Sequence, residues 1–578
     1  MESHTPRHSF LPTKKEIYTA IVASPLAWKI VFGLAALTLI ISGLLLLNKA
    51  NNSLMVTIPS IGGSFSEGII GTPRFINPIL EVSDADKDVS SLVFAGLMQK
   101  NADGAIVPDL ADSYTISKDG LVYTFTLKDN LVFHDNEPVT TDDVVYTINT
   151  IRDATLKSPR RISWEGVRVE KIDNRVVQFT LKQPYAGFLE NTTLGILPAH
   201  IWKDIPADQI NFSEYNIDAI GAGPYKIDKI KKKSSGVDTL TLIPFKKFNG
   251  HKAYIQKITL HFYANETELS KALKNGDVDQ ASALDPENVV GLNQKDFSIQ
   301  AAVLPRIFGL FFNQNKSAIF TDPSVAKAFD MAINKQVIIE KVLSGYGVAI
   351  DSPIPRTILP GDIAPASNPD AARALLEKNG WKIGADGIRE KTIKDKKGTQ
   401  KMRLAFSIAT GDSPDLKYSA ELIKQDLEAV GAQVTVQIFE IGILNQNIIR
   451  PREYQALFFG QVISNDSDLF AFWHSSQRND PGLNVALYTN TKADKALSDA
   501  VATLDEETRL EKFKIFDQEV RKDTPAVFVY SPYFMYVTSP RVKNITLSDI
   551  AIPKDRLENI EDWYIETDKI WKIFNTQK

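Results

Sequence analysis

The feature that most limits the fold is a run of 18 residues without a charge, Ile30 to Leu47, reading IVFGLAALTLIISGLLLL. As a helix it would span roughly 27 Å at about 1.5 Å per residue, enough to cross the hydrocarbon of a bilayer. Trp28 and Lys29 precede it and Asn48 and Lys49 follow, residues suited to a membrane–water boundary. Arg7, Lys14, Lys15 and Lys29 lie before the run, and only Lys49 closely follows it. The positive-inside bias therefore predicts a cytoplasmic tail over 1–29, a transmembrane anchor over 30–47, a linker over 48–56, and the rest outside the cytoplasm. A cleaved signal peptide is the alternative. Against it, the apolar core exceeds the usual ~7–15 residues, and the candidate cleavage site Asn48-Lys49-Ala50 lacks a small first residue. The linker is too short to let an exported body drift far from the bilayer.

A chain of 578 residues should form two or more lobes, and 43% hydrophobic with 24% charged residues is ordinary for packed globular structure. A net charge of −4 argues against nucleic acid as a partner. Cysteine is absent, which removes disulfides, thiolate nucleophiles, Cys-based zinc sites and a lipidated cysteine anchor. Strands are expected at 121–127, 176–181, 239–244, 256–262, 308–313, 402–408, 433–439 and 526–530, all rich in β-branched and aromatic residues. Helices are expected from Asn368-Pro369 to Gly380, from Ser413-Pro414 to Gly431, over 322–343 and over 505–522. Helix and strand alternate over 320–460, as in an α/β lobe, and 57–200 is richer in strands.

No catalytic or metal motif is complete. Asp84-x-Asp86-x-Asp88 opens like an EF-hand loop, but Val89 stands where glycine is required and Ala95 where the bidentate glutamate belongs, so it reads as a solvated acidic loop before a helix. His134, His200, His251, His261 and His474 show no i, i+4 pair in an exported helix; His4 and His8 do, on the cytoplasmic tail. His134 precedes an Asp135-Asn136 turn and reads as structural. No nucleophile elbow, P-loop or dinucleotide fingerprint is present. Phe470–Gln477, with Trp473 and His474, interleaves rings and polar groups and reads equally as a ligand pocket or the start of a core helix. Tyr530–Tyr536 reads as an aromatic strand pair.

The order of segments resembles the family 5 extracellular solute-binding proteins, which include oligopeptide-, dipeptide- and nickel-binding components of ABC importers. The resemblance is carried by Glu67–Pro73 with Ile76–Leu80, by Leu92–Leu97, by Pro108–Tyr114, and by Asp119–Leu127 continuing to Phe133–Thr140 and Asp142–Tyr146. It continues through Gly221-Ala222-Gly223-Pro224-Tyr225, Asn368 to Trp381, and Gly460–Gln477 with Asn484 and Tyr488. It implies an α/β, two-lobed, periplasmic-binding-protein-like clamshell with an inserted subdomain, here preceded by one transmembrane helix. Lobe I would comprise 52–95, 196–305 and 506–578, the inserted subdomain 96–195, and lobe II 306–505, with Leu304-Pro305 at a hinge crossing.

With the anchor read from the uncharged run and the absence of metal and cofactor motifs, the expectation is a single-pass protein of the bacterial cell membrane, not an enzyme and without cofactor or metal, acting as a monomer. It would capture short peptides and deliver them to an ABC permease. A nickel chelate, an oligosaccharide or a signalling peptide are alternative ligands, and an exported hydrolase is a remote one. Gly460 and Val462 match positions whose main chain pairs with a peptide. The family's ammonium-gripping aspartate is replaced by Ser464, with Asn465, Asp466 and Asp468 following, so that Asp466 could substitute on a shifted register. Asp84, Asp86 and Asp88 match a cleft-lining segment, and Arg306 and Arg356 are the candidates for a carboxylate anchor.

Overall fold

The structure, a computed structural model, describes residues 12–101, 104–234, 236–292, 295–361, 364–395, 398–463, 466–547 and 550–574. The chain divides into two compact units, Met1–Ser60 with Glu566–Lys578, and Ile61–Ile565.

In the first unit a short helix, Lys14–Ala23, starts at a Thr13 capping box with Glu16. It gives way at Ser24-Pro25 to a second helix, Leu26–Leu54. This 29-residue helix has a mean hydropathy of 2.7 over its most apolar window, none of it buried. Among the described residues it alone is long and apolar enough to cross a membrane. It overruns the uncharged run at both ends because neither flank contains a helix breaker. The expected linker is therefore corrected: 48–54 continue the helix, and Met55 opens a strand, Met55–Pro59, that pairs antiparallel with Thr567–Trp571.

The second unit is built on a twelve-stranded sheet. Its path runs from Gln433–Phe439 through Ala405–Gly411, Ala456–Val462 and Arg306–Phe312 to the long strand Ala526–Thr538. From there it continues through Gln280–Ser282, Ser64–Ile70, Lys257–Tyr263 and Gly236–Pro244 to Tyr225–Lys233. Ala405–Gly411 and Gln433–Phe439 are parallel, joined by the helix Pro414–Ala429, which has proline at its first turn and ends before Gly431 at φ 94°. A separate antiparallel sheet of Ala111–Ile116, Val122–Leu127, Val176–Thr180 and Arg168–Lys171 lies within 96–195.

The long strand changes partners half-way. Its first half pairs with Arg306–Phe312, Phe308 opposite Tyr530, and its second half with Ser298–Val303, Val303 opposite Tyr533. Both segments carry a proline at this point, Leu304-Pro305 and Ser531-Pro532, and Leu304 N donates to Pro532 O at 2.9 Å. Proline lacks an N–H, so the ladder is thinnest where the crossings lie side by side.

Three expectations need correction. The helix Glu506–Asp523 packs on Thr491–Ala502, and its Phe513, Phe516 and Val520 share a core with Trp473 and Phe528. Residues 506–530 thus belong with the 306–505 side, and the crossing falls at 531–532 rather than at 506. The helix expected over 322–343 is two, Pro323–Ala332 and Lys335–Val342, because Asn334 caps the second by accepting from Val337 N. The strand expected at 402–408 is divided at Leu404 between Gly398–Arg403 and Ala405–Gly411, which belong to different sheets.

Candidate functional site

A cavity of about 720 Å³ opens within the second unit. One wall comes from the helix Asp84–Val93 (Lys87, Ser90), from Arg160, and from the turn around Lys554. The facing wall comes from Thr357, Ile358, Ile463 and Leu510, with Pro305 of the crossing between them. The two walls thus rise from opposite sides of the proline crossings.

Beside the cavity the strand Ala456–Val462 has an open edge. Asn313 N donates to Gln455 O and Ile463 N to Pro305 O, so the odd-numbered residues face the Arg306–Phe312 strand. By alternation the main chain of Ala456, Phe458, Gly460 and Val462 points the other way. Pairing with Ala405–Gly411 stops at Leu457, and Phe458 O accepts from the Thr410 hydroxyl at 2.9 Å. The N–H and C=O groups of Gly460 and Val462 have no hydrogen-bond partner among the described residues. Glycine is needed at 460: a Cβ there would meet the Phe308 ring at 2.8 Å.

The first wall is held by a fully buried ionic network. Arg556 Nε and Nη2 donate to Glu67 Oε1 at 2.9 and 2.7 Å, and Nη1 and Nη2 donate to the two Asp88 oxygens at 2.9 and 2.7 Å. Tyr536 Oη donates to Glu67 Oε2 at 2.9 Å. Burial pushes the Asp88 carboxyl above its ordinary range even though the Arg556 charge opposes it. The effect is mechanical: Asp88 sits in the helix Asp84–Val93 and Arg556 in the turn Pro553–Leu557, both part of the cavity wall.

Charges facing the cavity are mixed. Arg160 Nη2 donates to Glu81 Oε1 at 2.5 Å. Lys554 has no hydrogen bond or ion pair among the described residues. Glu561 is pushed up to about 7, chiefly by burial, so it titrates near neutrality. Among the described residues no three His, Asp or Glu side chains gather in a metal-holding group.

The family model of bacterial extracellular solute-binding proteins, family 5 (middle), matches residues 105–482. The chain belongs to this family. Family 5 consists of substrate-binding proteins rather than enzymes, and the chain has its two-lobed α/β fold. The oligopeptide-binding protein AppA of Bacillus subtilis is 26% identical over 522 residues, covering 88% of this chain and 92% of that protein. The structure of that AppA in complex with a nonapeptide matches with a TM-score of 0.65 at 25% identity, covering 88% of this chain and all of that one. NikZ from Campylobacter jejuni, crystallised with Ni(L-His), matches with a TM-score of 0.66 at 26% identity, covering 87% of this chain and 99% of that one.

Of the residues the family 5 resemblance singled out, Gly460 and Val462 form the open edge. Arg306 stands opposite Val462, half-buried, its Nε enclosed without a hydrogen bond. Burial pulls its guanidinium below the ordinary arginine value, and the nearby Asp84 carboxylate opposes this. Ser464 and Asn465 lie outside the described residues. Asp466 opens the helix Asp466–Trp473, its side chain likewise outside the description, and Asp468 is half-buried in the same helix.

Several of the other candidates are engaged within the fold. Asp84, Asp86 and Asp88 are not a solvated loop but the first turns of a helix capped by Ser83. Asp84 stays partly exposed beside Lys87 at 3.7 Å. The Asp86 carboxylate accepts from the main-chain N–H groups of Arg74, Phe75, Val82 and Ser83 at 2.7 to 3.3 Å, which leaves little for a ligand. Trp473 is core, 1% exposed, against Phe311, Tyr488, Phe516 and Phe528. His474 stacks on Phe470 at 4.2 Å and caps a short turn by accepting from Ser476 N. Arg356 is exposed, and its Nη2 donates to Gly361 O at 2.8 Å. His134 does hold a turn: Nε2 donates to Gly223 O at 3.1 Å and Nδ1 accepts from Gly221 N at 3.4 Å. Burial lowers its imidazole to about 4, which keeps it neutral. Sequence reasoning missed Arg556, Glu67, Lys554 and Glu561. No local pattern marks them, since Glu67 and Arg556 lie 489 positions apart.

Proposed function

We propose that the chain is a membrane-anchored, extracytoplasmic substrate-binding protein that captures short peptides between its lobes and hands them to an ABC permease. The observation that carries this reading is the open main-chain edge at Gly460 and Val462 beside a cavity walled from both sides of the proline crossings. Main-chain donors and acceptors bind an extended peptide whatever its side chains, and a roomy cavity tolerates those side chains. Arg306, enclosed and short of partners, suits the peptide carboxylate; Glu561, Asp468 or Asp466 would receive the ammonium, because either charge buried alone is costly. A ligand touching both walls has its full set of contacts only when the lobes are shut, so binding shifts the equilibrium toward closure. The crossings at 304–305 and 531–532 would be the hinge, and the four-stranded sheet within 96–195 the core of the inserted subdomain. The uncharged run would anchor the protein as a monomer, with 1–29 in the cytoplasm.

Titration calorimetry with mixed di- to nonapeptides tests the reading. Heat with peptides supports it; heat only with nickel–histidine chelate rejects it in favour of a chelate-binding role. That second reading is favoured by the likeness to NikZ, whose structure holds Ni(L-His).

A further inference from the structure

The first unit carries an arrangement that ligand capture does not use. The strand Met55–Pro59 leaves the apolar helix directly, and Thr567–Trp571 returns beside it, Thr567 opposite Pro59 and Trp571 opposite Met55. This register sends the chain back toward the helix, so that residues 572–574 run on past its last turn. Trp571 Nε1 donates to Asn51 Oδ1 at 2.9 Å, which fixes the indole to that turn.

The spacing places the indole at a defined depth. Asn51 is four residues beyond Leu47, the end of the uncharged run, or about 6 Å along the axis. The headgroup layer on each side of a bilayer is roughly 5–8 Å deep. Trp571 therefore sits at the level where Trp and Tyr collect in membrane proteins. At the other end of the helix Trp28 packs on Phe32, ring centroids 6.3 Å apart, and supplies the matching belt.

Trp571 does not stand alone. It stacks on Phe574 with centroids 6.4 Å apart, and Trp571, Ile573 and Phe574 are 44%, 76% and 67% exposed. Lys572 lies between Trp571 and Ile573 and Lys569 two residues before Trp571, with long stems able to bring their ammonium groups to lipid phosphates. Three exposed large apolar side chains within four residues, held at the end of a membrane-length helix with Lys572 among them, form an interfacial surface. We propose that Trp571–Phe574 insert into the headgroup–acyl boundary of the bilayer beside the anchor helix, as a second membrane contact drawn from the far end of the chain. This rests on the membrane-anchor reading above.

The absence of cysteine allows single-site labelling of the full-length protein. Lys572→Cys and Leu44→Cys are each labelled with an environment-sensitive fluorophore, and the protein is reconstituted into phosphatidylcholine vesicles carrying nitroxide lipids at shallow or deep positions. The label at 572 is expected to be quenched more by shallow nitroxides and the label at 44 more by deep ones. Adding Ile573→Ser and Phe574→Ser should cut quenching at 572 by about threefold or more and leave quenching at 44 unchanged. Quenching at 44 without quenching at 572 overturns the second contact while the anchor stands, and so does quenching at 572 that ignores the serine substitutions. Absence of quenching at both sites refutes the anchor, and the second contact with it.

Discussion

Replacing Arg556 with leucine tests the cavity's supporting wall. The guanidinium is 0% exposed and makes four hydrogen bonds to the Glu67 and Asp88 carboxylates and a fifth to Pro553 O at 2.7 Å. It also lies over the Tyr536 ring, 5.5 Å from the centroid. Leucine leaves two carboxylates enclosed without a counterion, a situation that costs about 3–5 kcal/mol. Summing the individual hydrogen bonds would overshoot, because they break together. In the variant the Asp88 carboxyl, already raised by burial and now without the opposing Arg556 charge, takes up a proton more readily than in the unfolded chain, so the deficit should shrink as pH falls toward about 4. Urea denaturation followed by tryptophan fluorescence reads this well, since Trp563 packs against Tyr536 at 6.2 Å. A loss below about 1 kcal/mol at pH 7, or a deficit that grows on acidification, would refute the reasoning.

Three further outcomes are expected. Val462→Pro removes an N–H that points away from the Arg306–Phe312 strand, so peptide affinity should fall about fivefold to tenfold in calorimetry while the melting temperature stays within error. Asp109 is buried and raised from 3.8 to about 6, first by burial, with the Asn249 hydrogen bond opposing. Its folded value exceeds the unfolded one, so the ionised form opposes folding and stability is lost as pH rises from about 4 through 6; Asp109→Asn should abolish that slope and gain up to about 3 kcal/mol at pH 8 in denaturant titrations. Gly221→Ala would put a Cβ 2.1 Å from Val93 O and should cost about 1–3 kcal/mol, read as a lower urea midpoint.

Much of the fold is legible where the cause is local. The strand expected at 433–439 is the one observed, and proline with a capping residue marks the starts of Pro369–Lys378 and Pro414–Ala429. What escaped depends on remote partners. That 506–530 packs with the preceding segment follows from the core around Trp473 and from the register of one 13-residue strand, neither written in its composition. The pairing of Met55–Pro59 with Thr567–Trp571 joins segments more than 500 positions apart. The acidic run read as a solvated loop is helical because Ser83 and Asp86 close a capping box at its start. In the site, the open edge follows from alternation along a strand whose position the family resemblance supplied. The cavity's charges did not, because Arg160, Lys554 and Glu561 meet only through the tertiary fold.

Amide hydrogen exchange on the full-length protein, with and without a saturating pool of short peptides, reaches the central claim most directly. Slowed exchange at Gly460 and Val462, with unchanged rates at the odd-numbered amides already bonded to the Arg306–Phe312 strand, is the predicted result. Peptide binding that leaves both amides exchanging at their free rate would mean that the strand edge is not where the guest is held.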